Sequence, residues 1–386
     1  MSQQSYSTGN TYYATIRDES KLIEASRGSA TLATLLGPGW KSAASRWGRA
    51  QLLAHRVVCS RPAPKLSFLE PWLQDARAAH ECLGRLIEGP GSIDALQHSS
   101  ETQIIHRHQP DSLGYVWAAF LPFVRAPTAV AEDVQPVERP RRERKVPERL
   151  VSGVTFDQGD LEMSQSHSET SESGSSFSSV GFMDKHPLSP SEDASIRLAS
   201  CFVRCVLNYG QRVDKREPFV EFRDERRRHS FALIQFKTVE AVDDGGMHVL
   251  TSGGEKYHQV ALVEGKRNLP SVTNGVADIS DELLGQMVGG ALALQGIPGR
   301  LKSGAARADF VTILVATHWV KLFHFHISAD YKRSYGDLAG RPDQGILDGT
   351  LRVNSTEWLD LKKGTHRSVF ASHILALVAW TNDLLA

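Results

Sequence analysis

The chain has 386 residues, 41% hydrophobic and 23% charged, which allows two domains or one larger domain with a tail. Lys and Arg number 44, as do Asp and Glu, so the formal charge is zero. This excludes a chain-wide basic coat for nucleic acid but not a local patch. In chain order, residues 1–126 are mixed in composition. The opening MSQQSYSTGNTYY has neither a basic start nor an apolar centre, so no secretory signal is expected. Apolar residues recur at helical spacing over Trp40 to Val58 and over Leu66 to Ile87, as in Leu69, Trp72, Leu73 and Ala76. Gly37-Pro38-Gly39 and Gly89-Pro90-Gly91 punctuate these stretches as turns. A small, loosely packed helical region is expected here, without a catalytic motif.

Residues 127–190 read as a disordered linker. They hold the basic cluster Arg139 to Lys145 and a Ser-rich acidic stretch from Gln158 to Ser179. Such a segment buries too little apolar surface to offset its ordering entropy. The basic cluster suits a nuclear signal, a nucleic-acid tether or a solvated charge run equally well.

Residues 191–386 form the organised domain. Ser191-Glu192-Asp193 caps a helix to about Asn208, with Ile196, Leu198, Phe202, Val203 and Val206 on its apolar side. Phe231 to Ala241 reads as a strand. Asp243-Asp244-Gly245-Gly246 reads as a tight turn into Met247 to Leu250, and Ser252 to Glu255 as a second turn into the strand Tyr257 to Val263. A helix follows over Asp281 to Leu294. Two strands, Phe310 to Thr317 and Trp319 to Ile327, flank a turn at His318. A last helix occupies about Ser368 to Leu385. The order predicts an α/β (α+β) fold with a central mixed sheet flanked by helices. No run of about 18 apolar residues exists, so no membrane span is expected. Four cysteines do not make a disulfide scaffold, and an intracellular protein, nuclear or cytoplasmic, is expected.

The most informative segment is Gln259 to Arg267. Strand alternation puts Glu264 and Lys266 on one face, at the end of an otherwise apolar run. Burying either charge alone is costly, so the pair needs partners or a metal. Glu143/Lys145, Asp330/Lys332 and Asp360/Lys362 share the spacing, but only Glu264/Lys266 ends an apolar strand. It also follows a turn with Asp243 and Asp244 and precedes a helix with Gln286.

The stretches VEFRDERRRHSFAL (220–233), AVDDGG (241–246), VALVEGKR (260–267), DELLGQMVGGALAL (281–294) and VTILVATHWVKLFHFHIS (311–328) resemble, in order and spacing, fungal members of the PD-(D/E)XK nuclease-like superfamily. The resemblance covers about residues 191–386 and lacks the signature Pro before the Asp. It implies a restriction-endonuclease-like core. It further implies that Asp244, or else Asp243, ligates a divalent cation with Glu264, and that the Gly265 carbonyl is a third ligand. Lys266 would orient or deprotonate the attacking water and steady the phosphorane charge. Gln286 would line the site, and Glu192 would add an outer contact. Hard oxygen ligands suit Mg²⁺ or Mn²⁺. The implied partner is DNA or RNA, and the implied activity is phosphodiester hydrolysis.

Blander readings stand beside this one. Asp243 and Asp244 are ordinary turn formers, Glu264–Lys266 suits a structural ion pair, and Gln286 suits a solvated helix face. The same fold without catalysis would serve as a nucleic-acid or protein interaction module, and a third reading puts the function in residues 1–126. His324 and His326 share a strand face with His318 near. A zinc site needs a third or fourth ligand, so packing accounts for them better. Cys201 and Cys205 read as helix packing. Arg223, Arg226, Arg227, Arg228, Lys237 and Arg267 suit phosphate contacts or a charged surface. No Walker loop, dinucleotide loop or Gly-x-Ser-x-Gly is present, so no small-molecule cofactor is expected.

Overall fold

The computed structural model describes residues 11–37, 40–125, 190–215, 218–234, 237–250, 256–269, 272–273, 276–296, 307–334 and 349–385. The expected linker, apart from Pro190, and the expected turn over 252–255 lie outside them.

Besides a short hairpin of Val272–Thr273 and Val276–Ala277, the strands are β1 (Val57–Cys59), β2 (Phe219–Arg223), β3 (Arg228–Ile234), β4 (Lys237–Val242), β5 (Gly246–Leu250), β6 (Lys256–Lys266), β7 (Asp309–Ala316), β8 (Trp319–His326), β9 (Leu351–Ser355) and β10 (Leu359–Asp360). The principal helices are α1 (Glu81–Glu88), α2 (Asp111–Ala118), α3 (Glu192–Gly210), α4 (Asp281–Ala293) and α5 (Gly364–Leu385). One eight-stranded sheet runs β1-β9-β8-β7-β6-β5-β2, with β10 paired to β8. β6–β7 and β1–β9 are parallel, and the remaining pairs of this sheet are antiparallel. The expected mixed sheet flanked by helices is therefore present.

Alternation along β7 explains the layering. Val311, Ile313 and Val315 face a core shared with Leu83, Leu86, Trp117, Phe202 and Phe370. Phe310 and Leu314 face a second core with Tyr12, Trp47, Leu284 and Val288. A strand covered on both faces has to be apolar at every position, which is why β7 carries few polar residues. The caps stand where their residue types place them: Ser191 accepts from the amide of Ala194, and Ser280 from that of Leu283, at 3.2 Å each. Helix α5 is long and apolar enough to cross a membrane by length and composition. Here Phe370, Ile374 and Leu377 are buried in the protein core, and Phe370 stacks on Phe202 at 5.0 Å.

Three expectations change. Residues 11–125 are not a separate, loosely packed region, because they form one compact unit with the C-terminal part. Val57–Cys59 is a strand of the main sheet, in register with Leu351–Val353. The Tyr12 hydroxyl donates to the Val57 carbonyl at 2.6 Å, and Arg367 donates to the carbonyls of Leu86 and Ile87 at 2.8 Å. A Cβ at Gly285 would come within 3.0 Å of the Trp47 backbone, so this glycine lets the N-terminal chain lie directly on α4. The helical spacing over 40–58 and 66–87 is realised only in short pieces, including Arg49–Ala54, the 3₁₀ turn Ser67–Trp72 and Glu81–Glu88. Pro71 removes one amide donor there. Finally, the strand expected over Phe231 to Ala241 is two paired strands, β3 and β4. The aspartate turn therefore does not close a hairpin; it leads from β4, in this two-stranded sheet, to β5 in the main one.

Candidate functional site

The site is built where β6 ends. In β6 the side chains of Leu262, Glu264 and Lys266 share one face, and Leu262 belongs to the core beneath α4. Glu264 is buried, and its Oε1 accepts from Lys266 Nζ and, at 2.6 Å, from Gln286 Nε2. The expected pairing of Glu264 with Lys266, and the approach of Gln286 from the following helix, are both present.

The opposite face of β6 meets α3 at Gly265. A Cβ there would stand 2.6 Å from Ile196 Cγ1 and 3.1 Å from Glu192 Cγ, so only glycine allows the first turn of α3 this close. Ser195 fastens the same contact: its hydroxyl donates to the Lys266 carbonyl at 3.3 Å and accepts from the Thr317 amide at 2.9 Å. Helix α3 thereby brings Glu192 to the strand end.

Asp243 and Asp244 part company. Asp244 extends the β5 side of the sheet, its amide donating to the Val263 carbonyl at 3.0 Å. Its Oδ2 accepts from the Gly265 amide at 2.9 Å, and its Oδ1 meets Arg226 Nε at 3.1 Å. Asp243 points elsewhere. It is buried, with Oδ2 at 2.6 Å from Arg223 Nη2 and 2.7 Å from His229 Nε2, while Oδ1 accepts from the amides of Arg227 and Gly245. Its acceptor capacity is taken up by these four donors, so it does not join Asp244 and Glu264 as a ligand. Arg223 is likewise buried against Asp243 rather than facing a phosphate, and Arg228 pairs with Glu240.

The electrostatics follow from this geometry. Burial pushes the Glu264 carboxyl up to about 7; Lys266 opposes the rise, and Asp244 and Glu192 add to it. Burial also raises Glu192, again against Lys266 and with Asp244. Three carboxylates thus share the Lys266 ammonium and the Arg226 guanidinium at the strand end, with Glu264 the most buried of them. Asp244, Glu264, Glu192 and the Gly265 carbonyl offer oxygen only, the donor type that hard divalent cations take, but the three carboxylates do not all bring a ligand atom within 4.8 Å of one another. A positive charge beside them would oppose the burial and the repulsion that raise Glu264.

A second cluster lies at the other end of β7. Asp309, His324 and His326 hold one ligand atom each within 4.8 Å of the others. Sequence reasoning noticed the two histidines and missed Asp309. The signal was available: in the antiparallel pairing of strands joined by a two-residue turn, Asp309 falls opposite His326. His318 is apart from them, 3.5 Å from Asp360. The four cysteines are free; Cys205 Sγ packs 3.9 Å from Cys82 Sγ, joining α3 to α1.

Comparison with known proteins finds no matching family model, no matching curated protein and no matching solved structure.

Proposed function

We propose that this chain is a metal-dependent phosphodiesterase acting on DNA or RNA, of the PD-(D/E)XK kind. The observation that supports it is the convergence of Asp244, Glu264, Lys266 and Gln286 at one strand end, with Glu192 beside them. Asp244, Glu264 and the Gly265 carbonyl would hold Mg²⁺ or Mn²⁺, which supplies charge neutralisation on the phosphodiester and a more acidic water.

The chain's own residues do the remaining work. Gln286 and Lys266 fix Glu264 in one rotamer, so its second oxygen has a set direction. Lys266 is 30% exposed at the side chain and reaches solvent from a buried base. From there its ammonium can bind a phosphate oxygen, or exchange a proton with an attacking water. Arg226, 57% exposed, pairs with Asp244 at 3.1 Å and lies 3.9 Å from Glu192 and 4.0 Å from Asp193, so a backbone phosphate would compete with these carboxylates for its guanidinium. The setting is intracellular, nuclear or cytoplasmic, which the four free thiols support.

The test is cleavage of single- and double-stranded DNA and RNA by the full chain with Mg²⁺ or Mn²⁺, wild type beside Glu264→Gln. Metal-dependent cleavage lost in the variant is the expected result. The interaction-module reading is favoured by one observation: Glu264 Oε1 is already shared by Lys266 and Gln286, a self-contained ion pair. Nucleic-acid binding without cleavage, unchanged in Glu264→Gln, would replace the enzymatic reading with that one.

A further inference from the structure

We infer that Asp309, His324 and His326 form a second metal site, specific for a borderline dication of the zinc kind, with one coordination position open to solvent. It is independent of the phosphodiesterase reading. Along β7 it is separated from the Glu264 end by seven residues, roughly 20 Å at strand rise.

The geometry carries this. Asp309 Oδ1 lies 2.8 Å from His324 Nε2 and 2.8 Å from His326 Nδ1. Both rings therefore bring a nitrogen to the same carboxylate oxygen, with the three ligand atoms within 4.8 Å of one another. An ion with bonds of about 2.0–2.2 Å holds ligand atoms roughly 3–3.5 Å apart, so small side-chain adjustments admit it. The ligands stand on two paired strands rather than on loops. His326 is opposite Asp309 in register, and His324 projects from the same face two residues earlier.

The surroundings suit ligation. His324 is buried and stacked on Phe68 at 3.9 Å, which fixes its plane. Its other nitrogen, Nδ1, lies 3.3 Å from the side-chain amide of Asn354. With that amide turned so that its oxygen faces the ring, Asn354 accepts the Nδ1 proton and leaves Nε2 for the metal. Two nearby cations are turned away from the cluster. Arg307 Nε donates to the Asp309 backbone carbonyl at 2.6 Å, and Lys332 Nζ to the Arg307 carbonyl at 2.5 Å. Arg352, on β9, pairs with Glu19 at 3.0 Å. Asp309 and His326 are 33% and 41% exposed at the side chain, so an external donor can complete the shell. Two imidazoles with one carboxylate select zinc over magnesium, whereas the all-oxygen set at Glu264 does the reverse.

The experiment is calorimetric titration of the metal-stripped full chain with Zn²⁺ in excess Mg²⁺. Wild type is compared with Asp309→Asn, His326→Ala, Asn354→Ala and Glu264→Gln, each checked for folding by thermal denaturation. One Zn²⁺ per chain is expected. Affinity should fall more than about 100-fold in Asp309→Asn and His326→Ala, fall about 10-fold or more in Asn354→Ala, and hold in Glu264→Gln. Failure of wild type to bind Zn²⁺ overturns the proposal. So does binding that survives both ligand substitutions, or binding lost in Glu264→Gln instead. Should a ligand variant unfold, Co²⁺ titration of the wild type decides: a low-coordinate visible spectrum supports the site, and its absence rejects it.

Discussion

The two ends of strand β7 handle a carboxylate in opposite ways. Beside its C-terminal end, Glu264 is buried with one ammonium and two further carboxylates, and its affinity for a proton rises. At its N-terminal end, burial also pushes Asp309 up, but hydrogen bonds from His324 and His326 outweigh that and hold it well below the usual range. The partner accordingly gains: the hydrogen bond to Asp309 raises His326. Partner chemistry rather than burial alone therefore decides the sign. It also distinguishes the proposed phosphodiesterase centre, with oxygen donors only, from the proposed zinc centre with its two imidazoles.

The largest expected effect falls on the first centre. Lys266→Met should keep Mg²⁺ binding yet lower cleavage about 10²–10⁴-fold, as for loss of a proton-transfer group. Single-turnover kinetics beside metal calorimetry checks this, and equal loss of both properties would make Lys266 a purely structural partner of Glu264. Next come the paired aspartates. Asp243→Asn leaves Arg223 buried without its counter-ion and should cost about 3–5 kcal/mol by urea unfolding. Asp244→Asn should leave stability nearly unchanged and remove cleavage. Equal stability losses would erase the distinction between the two positions.

The pH dependence sharpens the comparison further. In the presence of chelator, folded Glu264 releases its proton near 7 rather than at its ordinary 4.5. The folded state then binds more protons than the unfolded one in that window, so stability falls as pH rises from about 4.5 to about 7. The amplitude is on the order of 3 kcal/mol, and Glu264→Gln should remove it in denaturation curves taken across that range. Asp309 has the opposite sign: its contribution is present above its ordinary 3.8 and is lost as pH falls below that. The smallest effect is expected at Gly265→Ala. The added methyl must push Ile196 aside, costing about 1–2 kcal/mol. Cleavage should drop with it as Glu192 shifts, and an unchanged melting temperature would show that α3 yields freely.

Local rules made part of this legible. The period of two put Glu264 and Lys266 on one face, and Ser191 and Ser280 marked the starts of α3 and α4. These depend on neighbours within a few residues, which a sequence displays directly. Adjacent Asp243 and Asp244 show where local reasoning stops. Both are equally good turn residues, and only the distant Arg223 and His229 claim one of them.

From the sequence alone came the apolar strand ending in an acid and a base, the helices around a mixed sheet, and the order in which they occur. Only the tertiary structure decided that Val57–Cys59 pairs with Leu351–Val353, that Gly285 seats Trp47, and that Asp309 completes a cluster with His324 and His326. The reason is physical. Periodicity reports which face of one element is apolar, but the choice of partner for that face is a sum over contacts between segments far apart in the chain. No single segment carries that sum.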